Sequence, residues 1–154
     1  MKKMFLFIFI LNLSFTVHSQ QLMVAVTDFT ARSGYSSEEL ENITELFAGF
    51  LREVGGVRVV TRSKWESILK EHDFQRSGLV AQTEIREFGK ALGAQAVVTG
   101  SMMKLGNTNI LNLSLLDVES GEMLSTARKS YESLDEILDL LPVLARDMAR
   151  LLRR

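Results

Sequence analysis

Residues 22–60 read LMVAVTDFTARSGYSSEELENITELFAGFLREVGGVRVV, and their order fixes the class of fold. Leu22 to Val26 is a continuous apolar run with β-branched content, which suits a strand covered on both faces. Asp28 to Tyr35 reads as a loop. Ser36 and Glu39 form a capping box, and Leu40, Ile43, Phe47, Phe50, Leu51 and Val54 follow at helical spacing. Gly55 and Gly56 stop that helix, and Val57, Val59 and Val60 give a second strand. Strand, helix, strand of this length is a βαβ unit, whose two strands run parallel through a right-handed crossover.

Downstream the same signals continue. Ser63 and Glu66 suggest a second capping box, opening a helix whose Trp65, Ile68 and Leu69 share a face. Phe74 to Gly78 breaks the periodicity. Thr83 to Leu92 predicts a short helix, with Ile85, Phe88 and Leu92 on one side and Gly93 as C-cap. Ala94 to Gly100 is a third strand and Gly106–Asn107 a hairpin turn. Leu111, Leu113 and Leu115 then alternate with Asn112 and Ser114, and Glu119-Ser120-Gly121 turns into a strand from Met123 to Tyr131. Ser133 and Glu136 open a last helix carrying Ile137, Leu141, Leu144, Met148, Leu151 and Leu152. Pro142 inside it predicts a kink, or a second helix that starts there. The expected architecture is α/β: a mixed sheet of about five strands in the order β-α-β-α-α-β-β-β-α, with helices packed on it and the last three strands an antiparallel meander.

The start of the chain is different material. Lys2 and Lys3 precede an apolar run, Met4 to Leu13, too short for the ~20 residues of a spanning helix. Val17 and Ser19 then suit cleavage before Gln20, so residues 1–19 read as a secretory signal peptide and 20–154 as a single domain. Cleavage removes two lysines and no acid, leaving 16 Lys+Arg against 19 Asp+Glu, a formal charge of −3. The exported product is expected in the periplasm, in solution or peripheral to the outer membrane. The near-balanced charge gives no basic field for nucleic acid. The absence of cysteine excludes disulfides, thiolate metal sites, cysteine nucleophiles and a thiol-linked lipid anchor.

Chemistry is hard to find in the pattern. His72 is the one histidine beyond the signal peptide, and a general base needs a partner that sequence cannot place. Glu38, Glu39 and Glu41 sit in the first turns of a helix, where negative charge complements the dipole. Asp28 and Asp117 could meet as a carboxylate pair, yet each also suits a turn. Phosphate loops are missing, and Gly89-Lys90-Ala91-Leu92-Gly93 lies in and at the end of a helix rather than opening one. No catalytic residue, cofactor or metal is assigned. A small secreted hydrolase or ligand-binding protein centred on His72 is the alternative of another class.

Several short segments, in their order and spacing, carry a resemblance. These are Asp28-Phe29 after the first strand, Val59-Val60-Thr61-Arg62-Ser63, Ile68-Leu69-Lys70-Glu71, Phe74-Gln75, Ser77-Gly78, Gly89-Lys90-Ala91-Leu92-Gly93-Ala94, Val98-Thr99-Gly100-Ser101 and Asp117-Val118-Glu119-Ser120-Gly121-Glu122. Together they resemble the CsgG/LpoB family across about residues 22–150. The resemblance implies a fold similar to the amino-terminal domain of TolB and to anticodon-binding domains. It implies a non-enzymatic adaptor or assembly factor of the bacterial envelope that works by docking. Its partners would be envelope proteins, an outer-membrane assembly or a peptidoglycan synthase that it activates, and ring-forming channel relatives extend the expectation to self-association. The lipobox cysteine of the lipoprotein members is missing, and the short turn after the third strand leaves no room for the inserted membrane hairpins of the channel. The docking residues put forward are Tyr35, in the loop after the first strand, and Phe74, Gln75, Arg76 and Ser77, in the break between helices; Phe74 reads equally as a plug that closes its helix. A free strand edge in the meander is a further route.

Overall fold

A computed structural model describes residues 21–32, 34–71 and 81–153. Ten elements follow one another: β1 (Leu22–Val26), β2 (Thr30–Ala31), α1 (Ser37–Val54), β3 (Val57–Val59), α2 (Arg62–Glu71), α3 (Gln82–Leu92), β4 (Ala96–Leu105), β5 (Thr108–Asp117), β6 (Met123–Tyr131) and α4 (Leu134–Leu152). The strands form one mixed sheet in the order β3-β1-β4-β5-β6. β3, β1 and β4 are parallel, and β4-β5-β6 is the antiparallel meander. The sixth strand, β2, lies in the stretch read from sequence as loop. It continues the line of β1 after a break and pairs Thr30 with Ser101 and Ala31 with Met102.

Helices cover both faces. α1 and α4 lie on one, over a core that includes Phe47, Leu51, Leu111, Leu113, Leu115, Leu141 and Leu144. α2 and α3 lie on the other, with Trp65, Phe88, Leu92, Val97 and Leu116. The period-2 alternation of β5 explains the division, because its leucines at odd positions enter the first core while Leu116 enters the second.

Local signals decide the element ends. At α1 the Ser36 hydroxyl accepts from the Glu39 amide at 3.1 Å and the Glu39 carboxylate accepts from the Ser36 amide at 2.7 Å, a complete capping box. The hydrogen bond from the Ser36 backbone amide first, and the Ser36 side chain second, hold the Glu39 carboxyl below its usual range. Gly55 and Gly56 end the helix with φ of 73° and 77°, a region that costs other residues strain. The expected box at Ser63 is not formed in that way. α2 begins one residue earlier, at Arg62, and the Glu66 carboxylate accepts instead from the Arg62 Nε at 3.1 Å. α4 runs as one helix through Pro142, so no second helix starts there; the ring forfeits one backbone donor while Leu141, Leu144 and Ala145 stay buried around it.

Candidate functional site

β1 and β3 lie side by side, but the chain leaves β1 toward α1 on one face and leaves β3 toward α2 on the other. The carboxyl ends of such strands frame a crevice, the usual place for a ligand in parallel α/β sheets. Here the crevice is closed by the protein's own side chains. Arg62, at the start of α2, donates from Nη1 to Asp28 Oδ1 at 2.5 Å, from Nη2 to Glu41 Oε1 at 2.9 Å and from Nε to Glu66 Oε1 at 3.1 Å. Its guanidinium also lies 4.5 Å from the ring centroid of Trp65. Burial opposes the charge on Arg62, yet the hydrogen bond and charge of Asp28, with Glu66 and Glu41 behind them, outweigh it and raise the pKa above its ordinary value. A permanently protonated cation whose planar fork is spent on three carboxylates neither accepts nor releases a proton. It ties the end of β1, the first turns of α1 and the first turn of α2 into one clasp.

Beside the clasp a cleft of about 180 Å³ is lined by Thr27, Asp28, Thr30, Thr99, Ser101 and Asn112, among others. Three of its polar side chains are engaged internally: Thr27 and Thr30 turn their hydroxyls to the carbonyls of Val98 and Gly100, and Asn112 accepts from Arg128 at 2.8 Å. Asp28 and Asp117 do not meet. Asp117 pairs across from Ala96, where β4 enters the sheet, whereas Asp28 follows the exit of β1, roughly 13 Å farther along the strands at about 3.3 Å per residue. Asp117 accepts from the amide and hydroxyl of Ser120, at 2.7 and 2.8 Å, and those bonds, the backbone one first, hold its carboxyl below the usual range. Among the described residues no group of three His, Cys, Asp or Glu is placed to hold a metal ion, and no helix is long and apolar enough to cross a membrane.

Of the residues put forward from sequence, Phe74, Gln75, Arg76 and Ser77, and also His72, lie outside the described residues. Tyr35 is half-buried against the first core, with its hydroxyl in contact with that of Tyr131. Burial, reinforced by the hydrogen bond to Tyr35, drives the Tyr131 phenol well above its ordinary pKa. The meander ends in β6, whose outer edge has no partner strand among the described residues. Exposed apolar side chains lie elsewhere: Leu46 on α1, Leu105 at the β4–β5 hairpin, and Leu138 and Val143 on α4. Sequence reasoning took Arg62 as part of a motif but not as the clasp, although its spacing of four to Glu66 was a signal; its partners Asp28 and Glu41 are brought to it only by the fold.

A mixed sheet with a helical layer on each face, and an internal ion-pair network across the ends of β1 and β3, defines a small α/β domain. The chain belongs to the CsgG family: the family model described as "Curli production assembly/transport component CsgG" matches residues 10–114. Solved structures share the fold. The C-terminal domain of LpoB from Salmonella enterica superposes with a TM-score of 0.61 at 16% identity, over 73% of this chain and 84% of that one. TolB from Acinetobacter baumannii gives 0.57 at 13% identity, over 86% of this chain and 28% of its own. A PelC dodecamer from Paraburkholderia phytofirmans gives 0.51 at 17% identity, over 86% and 89%. No curated protein matches the sequence. The expected resemblance to the CsgG/LpoB family and to TolB in fold is thus found.

Proposed function

We propose that this protein is a non-enzymatic docking module of the bacterial cell envelope, exported to the periplasm and acting as an adaptor in the assembly of an outer-membrane structure. The observation that carries the reading is the match of residues 10–114 to a family described by curli assembly and transport. Two structural features support it. The strand-end crevice, where an α/β enzyme would hold its substrate, is filled by Arg62 and its three carboxylates. Apolar side chains stand exposed on the helical layer and the hairpin instead, the arrangement of a surface that meets other proteins.

The test is affinity capture from envelope extracts, with cell fractionation to check export. Recovery of an outer-membrane assembly component supports the adaptor role. Recovery of a peptidoglycan synthase, with stimulation of its activity, replaces it by the activator role. Turnover of a substrate by the purified protein, abolished by His72→Ala, overturns both. The docking surface proposed from sequence is tested in the same capture with Tyr35→Phe and with alanine at Phe74, Gln75, Arg76 and Ser77.

A further inference from the structure

Tyr35 and Tyr131 are the only tyrosines of the chain, and the fold sets their hydroxyls in contact. Each stands on a fixed base. Tyr35 immediately precedes Ser36, whose amide and hydroxyl are both engaged with Glu39 in the box that opens α1. Tyr131 closes β6 opposite Asn109. The next residue, Glu132, accepts at its carbonyl from the Asn109 side chain at 3.2 Å and donates its amide to the Glu136 carboxylate at 2.7 Å. The two phenols differ in access: Tyr35 is half-buried at the surface, and Tyr131 is 3% exposed. A cavity of about 470 Å³ has Tyr131 in its wall, with Ser130, Glu132 and Glu136, so this ring has room to turn that a close-packed core would deny it.

We propose that Tyr35 and Tyr131 form an oxidative cross-linking site, where a peroxide-derived one-electron oxidant joins the two rings at their Cε atoms into one dityrosine within a single chain. The first oxidising equivalent takes an electron from the accessible Tyr35, and its hydroxyl proton goes to water. The Tyr35 oxygen then has no hydrogen left and can only accept. The hydrogen atom of the Tyr131 hydroxyl crosses the contact, which restores Tyr35 and leaves the radical on Tyr131. A second equivalent oxidises Tyr35 again. The two radicals combine at Cε, the ring carbon next to the one that bears the hydroxyl, and the proton each Cε sheds returns to its own oxygen. Two Cε–H bonds are lost and one C–C bond forms, while the two electrons and two protons reduce one hydrogen peroxide to two waters. The buried phenol is thus oxidised without meeting the oxidant.

The link ties the entry of α1 to the exit of β6, across 96 positions of sequence. A chain without cysteine forms no disulfide, and a bond between these rings restricts the unfolded chain in the way a disulfide over a long loop does. The native contact also decides the partner: the ring nearest to an oxidised Tyr35 is Tyr131 of its own chain, not the Tyr35 of another molecule. This site goes beyond the docking function proposed above and does not depend on which envelope partner is recognised.

Oxidation of the purified protein by photogenerated tris(bipyridyl)ruthenium(III), with persulfate taking up the electrons, tests it. The wild type should gain dityrosine fluorescence in a band that stays monomeric on a denaturing gel, with a mass lower by two hydrogens. Trypsin should release residues 33–52 and 130–146 as one joined peptide, and the oxidised protein should unfold at a higher urea midpoint than the untreated one. Tyr35→Phe and Tyr131→Phe, with unchanged circular dichroism spectra, should each abolish the monomeric fluorescent product. Wild type oxidised while unfolded in urea should lose it as well, because the contact exists only in the fold. Oxidation that gives no dityrosine, dityrosine confined to cross-linked dimers, or an equal yield from the folded and unfolded chain overturns the proposal.

Discussion

The ring of Phe29 occupies the space beside Gly100 that any side chain at that position would need. Phe29 follows β1 and Gly100 lies mid-way along β4, so two short motifs 71 residues apart interlock through one missing Cβ. The same device recurs on the other face, where a Cβ on Gly89 of α3 would approach Val118 to 2.6 Å and Val97 to 2.8 Å. Gly100→Ala must displace an aromatic ring that is itself packed on Phe47 with centroids 5.8 Å apart. The expected cost is about 1–3 kcal/mol, the range for overpacking a dense core. It should appear as a lower urea midpoint with an unchanged m-value, and Gly89→Ala should behave alike. An unshifted midpoint for Gly100→Ala would refute the close packing.

Arg62 should be the most costly charged side chain to remove. It and Asp28 are each 22% exposed, against 49% for Glu41 and 51% for Glu66. Truncation to alanine leaves three carboxylates facing one another and uncovers Trp65, at a cost of about 1–3 kcal/mol. Arg62→Lys should recover less than half of that, because a single ammonium cannot reproduce a three-way fork. Asp28→Ala should cost more than Glu66→Ala, since the more exposed pair is better screened by water. Urea unfolding followed by far-ultraviolet circular dichroism gives the ranking, and equal effects of Asp28→Ala and Glu66→Ala would contradict it.

Acid stability should depend on Asp117. Its carboxyl is held below the ordinary value of 3.8 by the Ser120 amide first, then by the Ser120 hydroxyl. A depressed folded-state pKa means that the unfolded chain binds the proton more tightly. The stabilisation is therefore complete above the unfolded value near pH 4 and is lost as pH falls through the lower folded value. Asp117→Asn should lower stability at neutral pH and flatten its dependence as pH falls below about 4. Thermal melts across that window, for wild type and variant, read the difference; parallel curves would show that the turn does not prefer the anion.

Periodicity and punctuation made most of the fold legible. The Leu22–Val26 run, the Ser36–Glu39 box, the Gly55–Gly56 stop, the alternating leucines of β5 and the span of β6 all have local causes, and each element occurs where those causes place it. Thr30–Ala31 was not legible, because a two-residue strand has no alternation to show and exists only through its register with Ser101 and Met102. Ser63 misled for a related reason: the Glu66 that would complete a box is taken by Arg62, whose place is set by Asp28 and Glu41 from elsewhere in the chain. Tyr35 offered itself as a loop aromatic, and only the fold brings Tyr131, 96 positions away, to its hydroxyl.

That contact can be read spectroscopically, because Tyr35 and Tyr131 are the only tyrosines. Tyr131 is 3% exposed, and ionising it would place a phenolate in the core beside α4. Burial first, and the Tyr35 hydrogen bond second, thus hold its proton well past the usual value of 10. In Tyr35→Phe, Tyr131 is the sole phenol and its absorbance change near 295 nm can be followed without overlap. It should still titrate above the ordinary value, because burial persists, but lower than in the wild type, where the hydrogen bond adds to it. In the unfolded chain in urea it should return to about 10. A group whose folded-state pKa is raised keeps its stabilisation in full below the unfolded value near 10 and loses it as pH rises from there towards the folded value, so the wild type should unfold as the phenol ionises in strong alkali. If Tyr131 in Tyr35→Phe titrated at the same pH folded and unfolded, the placement of its ring between β6 and α4 would be wrong.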